Sequence, residues 1–554
     1  MSNRRLRVGM TLVVAMLSGI SGAQSNPALR DIADAGQLAD LRWPDFSDYR
    51  LHVQNFYQPT GYVPAWMQDR QPTRQALAVI AILQQAGDKG LSAEDYDGAL
   101  WAARLAHLRE SPSDSDQARF DAALTVCAMR YISDLHIGKV NPKYFHFGLD
   151  IEHKKYSLPD FLRQRVVGAS DVKAILDEVE PPFPRYKRTE EALQRYVEFA
   201  RRDDGEQLPV PTKTLGPGSP YPGVPRLTRL LLLLGDLPPD TPVAAPATDS
   251  GAYDGPLVSA VKHFQERQGL RPDGRLDAQT VKALNTPLSF RIRQLQLTLE
   301  RWRWLPHEFT EPPIIVNIPE FHLRAYSTIA EGDVALAMNV IVGMAYGHKT
   351  PIFAEEMKYV VFRPYWNVPP SIQRSEIVRA IEKSRDYITQ KGFEVVTHSG
   401  EIVTSGAISD EVLEQLRTGK LAVRQKPGPN NALGLVKLMF PNEYNVYLHS
   451  TPAQELFAQV RRDFSHGCIR VEKPDELAAW ALRNNPGWDL ARVREAMKSG
   501  KDNQTVNLAK PIPVFILYGT AIVDEKGEAH FYEDIYGLDA DLDKVLAKGY
   551  PYPG

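Results

Sequence analysis

One short stretch of this chain is equipped for covalent chemistry. Cys468 closes the turn Ser465-His466-Gly467-Cys468, and His449 stands upstream of it. A thiol attacks a carbonyl carbon only as its thiolate, and a free cysteine ionises at about pH 8.5. A histidine within hydrogen-bond reach takes the proton and lowers that value by about one unit or more. His449 is the better candidate for the base, because the run Tyr444–His449 alternates Val446 and Leu448 with Tyr447 and His449. On a strand this puts Tyr447 and His449 on one face. In the run after the turn, Cys468 and Arg470 point one way, Ile469 and Val471 the other. No acidic residue stands out to orient the second nitrogen of His449, which leaves a backbone carbonyl. Gly467 lets the backbone approach a substrate carbonyl closely. The amides around Gly467 and Cys468, in the turn begun by Ser465, are natural oxyanion donors. His466 and Arg470 add donors, or bind a substrate carboxylate through the guanidinium fork. Tyr447, Tyr365, Trp366 and Asn367 are candidates for substrate binding, against the alternative that such aromatics belong to the core.

The other cysteine reads differently. Cys127 shares a helical stripe with Phe120, Leu124 and Tyr131, which marks a packed position. Two cysteines far apart do not make a disulfide framework. Neither HExxH nor C-x-x-C spacing occurs, so metal ligation is not expected, and no cofactor is implied.

The elements that must hold the turn belong to a long, multidomain α+β chain. At 554 residues it exceeds what one core serves. A net charge of -3 argues against nucleic acid as a partner. Arg4, Arg5 and Arg7, the apolar run Val8–Leu17 and Ser21-Gly22-Ala23 read as an export signal over residues 1–23. The run is well short of the roughly 20 residues that span a bilayer, so no stable membrane span is expected, although retention as an anchor stays open. Residues 24–225 read as a helical scaffold ending in a Pro/Gly-rich stretch, and 226–288 as a small three-helix unit. In that unit Asp273-Gly274 turns the chain and Asp277 caps a helix. A connecting helix occupies 289–311. From Ile314 the period becomes strand-like over Ile314–Ile318, His322–Tyr326, Ala335–Val342, Met357–Phe362 and Val436–Phe440, and again at 512–523 and 528–533. These define a β-rich domain over 312–554. A charged helical insertion at 370–430 lies over or near the turn.

Residues 256–287 resemble the type 1 peptidoglycan-binding domain, through Phe264-Gln265, Gly269-Leu270, Asp273-Gly274 and the run Thr280 to Asn285. His449 followed by SHGC-Ile-Arg-Val resembles the signature of the YkuD-type L,D-transpeptidases. Thr350-Pro351, FRPYWNVPPSI, PGPNNALGLVKLMFPN and EDIYGLD match the long, multidomain YcbB-like branch of that family. Some members carry asparagine where Val471 stands. The resemblance implies Cys468 as nucleophile, His449 as general base, Gly467 at the oxyanion site, His466 and Arg470 in the pocket, and 370–430 as a capping lobe. It further implies an exported, periplasmic enzyme acting on peptidoglycan stem peptides. That enzyme would form 3→3 cross-links through a thioester, be acylated by carbapenems, and have cell-wall synthases as candidate partners. Two alternatives stand beside this reading. One is an L,D-carboxypeptidase or endopeptidase, where water replaces the acceptor amine. The other is a non-catalytic wall-binding protein.

Overall fold

The computed structural model describes residues 25–110, 113–240, 251–328, 332–345 and 347–553. The signal-like segment 1–23 and residues 241–250 lie outside them. The described chain forms two compact units. The smaller comprises residues up to 84 with 93–131 and 157–176, and is helical. Its long helix, which runs on past the unit's boundary, is α1 (Asp114–Ile137), and it carries the stripe of Phe120, Leu124, Cys127 and Tyr131. Cys127 on α1 is fully buried.

The larger unit holds everything from 177 on, together with 85–92 and 132–156. Helix α2 (Pro184–Arg202), within the stretch read as scaffold, packs on a helix of this unit instead. The three-helix module follows: α3 (Val224–Leu234), α4 (Gly255–Arg267) and α5 (Ala278–Leu284). The Asp277 side chain caps α5 through Thr280 N–H at 2.7 Å, as its position predicts. Phe264, Val261, Leu276 and Leu231 form this module's own core. Helix α6 (Leu288–Trp302) leads into the β-rich domain and is the partner of α2.

That domain is built on nine strands: β1 (Ile314–Asn317), β2 (His322–Thr328), β3 (Asp333–Gly343), β4 (Phe353–Phe362), β5 (Val436–Met439), β6 (Leu448–His449), β7 (Asp463–Ser465), β8 (Ile469–Val471) and β9 (Gln504–Leu517). Their order is β7-β3-β8-β6-β5-β4-β9-β1-β2, and β2 pairs back onto β3, which closes the sheet into a barrel with β7 on its rim. Within the later strand-like runs, 521–523 and 529–531 pair with each other as a separate hairpin.

Register decides which side chains meet. Leu448 pairs with Ile469 and with Leu438, and all three are fully buried in the main core. Each such side chain contributes about 1.5–3 kcal/mol by burial, so a one-residue slip that turned them to the wet face is strongly opposed. With that register fixed, His449 stands opposite Arg470 on one side and Lys437 on the other.

The insertion contains the expected helices and also a four-stranded sheet, formed by 366–367, 393–396, 402–404 and 422–425. Its strands are short and β-branched (Val395-Val396, Ile402–Thr404), too brief to show through the charged helical pattern around them. Ile381, Val395, Leu416 and Val423 give the lobe a core of its own. Among the described residues, no helix is long and apolar enough to cross a membrane.

Candidate active site

The nucleophile turn joins β7 to β8 and is tied to itself. Ser465 Oγ donates to the Cys468 carbonyl at 2.5 Å and accepts from the Gly467 N–H at 3.1 Å. The Gly467 amide is therefore committed inside the turn and does not face outward as an oxyanion donor. Gly467 has φ +113°, a backbone that favours glycine. Its carbonyl accepts from Thr350 Oγ1 at 2.8 Å. The same Thr350 oxygen accepts from Gly343 N–H, and the Thr350 N–H donates to Tyr536 Oη at 3.1 Å, while Tyr536 Oη donates to the Gly343 carbonyl. Thr350 and Tyr536 thus bolt the turn to the end of β3. Both lie in stretches (GHKTPIF and EDIYGLD) that were matched as motifs but given no individual role. A threonine fully buried beside a strand end was the available signal.

Cys468 is partly exposed at the end of this turn. Its thiol lies 3.7 Å from the Asn445 carbonyl and also meets Tyr447 through both backbone and side chain. Asn445 has φ +54° and belongs to a loop that the Asn442 side chain holds together, through the Phe440 and Val446 carbonyls and the Val446 N–H. Burial pushes the thiol above its ordinary value, and hydrogen bonds from Tyr447 and the charges of Lys437 and Arg470 oppose that shift. In this conformation the thiol is protonated at neutral pH.

His449 is almost wholly buried. Its Nδ1 sits 2.6 Å from the Ser450 carbonyl, the backbone orienter that the absence of a nearby acid predicts. Burial, with the Arg470 charge beside it, drives the imidazole down to about 3, so the ring is neutral. In register it is diagonal to Cys468 on one sheet face, a separation on the order of 7–8 Å between such neighbours. The ring's bonded partners are the Ser450 and Leu433 backbones rather than the thiol.

Two cations flank the thiol. Arg470 makes no ion pair among the described residues, and its Nε is buried without a partner. Burial depresses it while Cys468 raises it. Lys437, absent from the sequence-derived candidates, sits over the Tyr447 ring at 5.5 Å and is lowered by burial. Its signal was a lone lysine on an apolar strand opposite His449, visible only once β5 and β6 are paired.

His466 points to the insertion. Its Nε2 lies 2.6 Å from Glu376 Oε1, and its ring packs edge-on against His348 at 4.7 Å. Glu376 stands on the lobe's first helical turn, so the lobe is tied directly to the turn bearing Cys468. Of the other substrate-binding candidates, Tyr447 touches the thiol. Trp366 packs on Phe393 in the lobe core, Tyr365 lies under Arg424 at 4.4 Å, and Asn367 is exposed at the sheet's edge strand, paired with Arg424. The structure does not bring these three to the thiol. An apolar cavity of about 50 Å³ beside Trp302, Ile315 and Leu517 contains none of the candidate catalytic residues.

Comparison with known proteins gives the following. Residues 312–504 match the YkuD model, described as an L,D-transpeptidase catalytic domain. Residues 222–284 match a model described as "Putative peptidoglycan binding domain", and 52–193 one described as a scaffold domain. A protein of Haemophilus influenzae named "Putative L,D-transpeptidase" is 31% identical over 280 residues, which is 50% of this chain and 55% of that one. The chain therefore spans about half the length of the curated relative it matches. A solved L,D-transpeptidase fragment from Xylanimonas cellulosilytica aligns at 14% identity over 56% of this chain and 100% of its own, with a TM-score of 0.16, too low to carry an argument.

Proposed function

Since the chain carries a YkuD L,D-transpeptidase catalytic domain and a peptidoglycan-binding domain, we propose that it is an exported, periplasmic L,D-transpeptidase whose nucleophile is Cys468. One observation carries this reading. Cys468, Tyr447, His449, Arg470 and Lys437 share one face of a closed sheet, with His449 fixed by the Ser450 carbonyl.

The resting thiol and the neutral imidazole each hold an uncharged form, so the proton moves when substrate arrives. Rotation of the Cys468 side chain away from Asn445 brings Sγ toward His449. The imidazole takes the Sγ proton as sulfur bonds to the carbonyl carbon at the L-centre of a stem-peptide diamino acid. With the Gly467 amide engaged by Ser465, the Cys468 N–H is the turn's donor to the developing oxyanion. Lys437 and Arg470 stabilise the sulfur's negative charge, and the free guanidinium edge of Arg470 binds a substrate carboxylate. The carbon–nitrogen bond to the terminal D-alanine then breaks, and its amine leaves with the proton from His449. This leaves a thioester on Cys468. The amine of a neighbouring stem attacks the thioester, loses its proton to His449 and restores the thiol, closing a 3→3 cross-link. Water in place of the amine gives the carboxypeptidase outcome. No resident metal or cofactor is needed for these steps.

Incubating the purified protein with tetrapeptide muropeptides tests the reading. Cross-linked dimers support it. Tripeptides alone establish the hydrolase, and unchanged tetrapeptides overturn both.

A further inference from the structure

Away from the thiol, the larger unit contains a cavity of about 360 Å³, bounded by α2, the helices of the peptidoglycan-binding module and the start of α6. That volume suits a small ligand. Its polar lining is unusual. The arginines nearby are paired: Arg267 with Asp236, Arg226 with Asp203 and Asp204, Arg293 with Asp543. Arg291 is not. It donates from one nitrogen to Gln294 Oε1 at 2.8 Å and lies over the Phe531 ring at 5.0 Å, and no carboxylate among the described residues pairs with it. Burial and the nearby Arg267 push it down to about 10.

Two further groups open on the same space. Gln268 is only 9% exposed, and its Oε1 is buried with no partner. Tyr196 Oη accepts from Arg267 at 3.3 Å, which leaves its own proton to donate. Arg291 is half-buried and keeps a charge that no carboxylate among the described residues meets, and the buried Gln268 oxygen without a partner is costly unless something fills the cavity.

We infer that this cavity binds a small monoanionic carboxylate that carries an N–H close by, the chemistry of a short peptide's C-terminus. The carboxylate takes the Arg291 fork and the Tyr196 hydroxyl, and the N–H meets Gln268 Oε1. A phosphate dianion fits less well, since its second charge has no further unpaired cation among the described residues and Asp203 adds a carboxylate to the lining. The site is independent of the thiol chemistry. It gives the module a way to read a stem-peptide end apart from the catalytic turn.

Calorimetric titration of the full-length protein, with Cys468 alkylated so that the catalytic pocket is closed, tests this. The probes are N-acetyl-alanyl-alanine, its C-terminal amide and inorganic phosphate. The dipeptide acid binds, while the amide and phosphate bind at least about tenfold more weakly. Arg291→Gln weakens the acid by about tenfold or more, and Gln268→Leu weakens it by a smaller factor. Acylation of unalkylated Arg291→Gln stays at the parent rate, which separates this site from the catalytic one. If Arg291→Gln loses its cooperative melting transition, Arg291→Lys decides: it keeps the charge, loses the fork, and shows the same discrimination more weakly. Equal binding of acid and amide, equal binding of phosphate, no binding of any probe, or an unchanged Arg291→Gln overturns the inference.

Discussion

The chain holds one thiol in each of two settings, and the contrast shows what separates a packed cysteine from a working one. Cys127 is fully buried within α1, and Cys468 is partly exposed at the end of a glycine-bearing turn. Burial raises both. What differs is the company. Cys127 has the Asp97 carboxylate as its leading charged neighbour, which disfavours a second negative charge, with Arg130 and Arg104 opposing it. Cys468 has Lys437 and Arg470, which favour it, a tyrosine donating to it, and a neutral imidazole on the same face. Desolvation alone therefore does not mark the reactive sulfur. Access for a second molecule and a neutral imidazole on the same face do.

The largest expected effect breaks the comparison outright. Iodoacetamide on the native protein modifies Cys468 and leaves Cys127 untouched, read by peptide mass mapping. Cys468→Ala abolishes muropeptide turnover, while Cys127→Ala retains it in the folded fraction. Modification of Cys127 in the native state would erase the distinction.

Next in size is the base. His449→Gln lowers single-turnover acylation by about 10²–10⁴-fold with the fold intact. The same residue has a stability signature. Its folded value of about 3 lies below the ordinary 6.5. The neutral ring therefore supports the fold fully above that ordinary value, and the support is lost as pH falls toward 3. At pH 5 the loss is about 2 kcal/mol, so His449→Gln flattens the acid limb of the melting curve. An acid limb identical to the parent's would contradict the buried neutral imidazole.

The charges sharpen the comparison. Because the imidazole is already neutral and the thiol is raised, acylation through His449 is flat across the neutral range and rises only as pH approaches the raised thiol value. Lys437→Met moves that profile to higher pH by about one unit, measured as acylation rate against pH. A profile that stays in place removes Lys437 from the account.

The smallest expected effect concerns the lobe. Glu376→Gln keeps a hydrogen bond to His466 and loses the charge, and Glu376→Ala loses both. Acylation by a bulky donor drops by a few-fold, about tenfold at most, in the alanine variant and less in the glutamine one. Identical behaviour of all three proteins would make the contact incidental.

Much of this was legible in the sequence because β-strand alternation is a local property. Val446/Leu448 against Tyr447/His449, and Ile469/Val471 against Cys468/Arg470, fix the faces without any knowledge of the partner strand. Asp277 marks a helix start for an equally local reason. What stayed hidden depends on pairing between distant segments. Lys437 joins the site only because β5 lies beside β6. Thr350 and Tyr536 hold the turn across 186 residues of chain. The Gly467 amide points inward because Ser465 claims it, a hydrogen bond that spacing does not reveal. The lobe's sheet is made of strands of two to four residues embedded in charged helical sequence. Their pairing depends on register across the lobe, which periodicity does not report. The same limit applies to Trp366, whose aromatic character fits a pocket and a core equally and which the lobe takes for its core.

The most direct test of the central claim is intact-mass spectrometry of the protein after exposure to a carbapenem, followed by mapping of the adduct. A single covalent adduct on the peptide containing Cys468, absent from Cys468→Ala and slowed in His449→Ala, is the predicted result. An adduct that persists in Cys468→Ala, or that maps to any other residue, contradicts it.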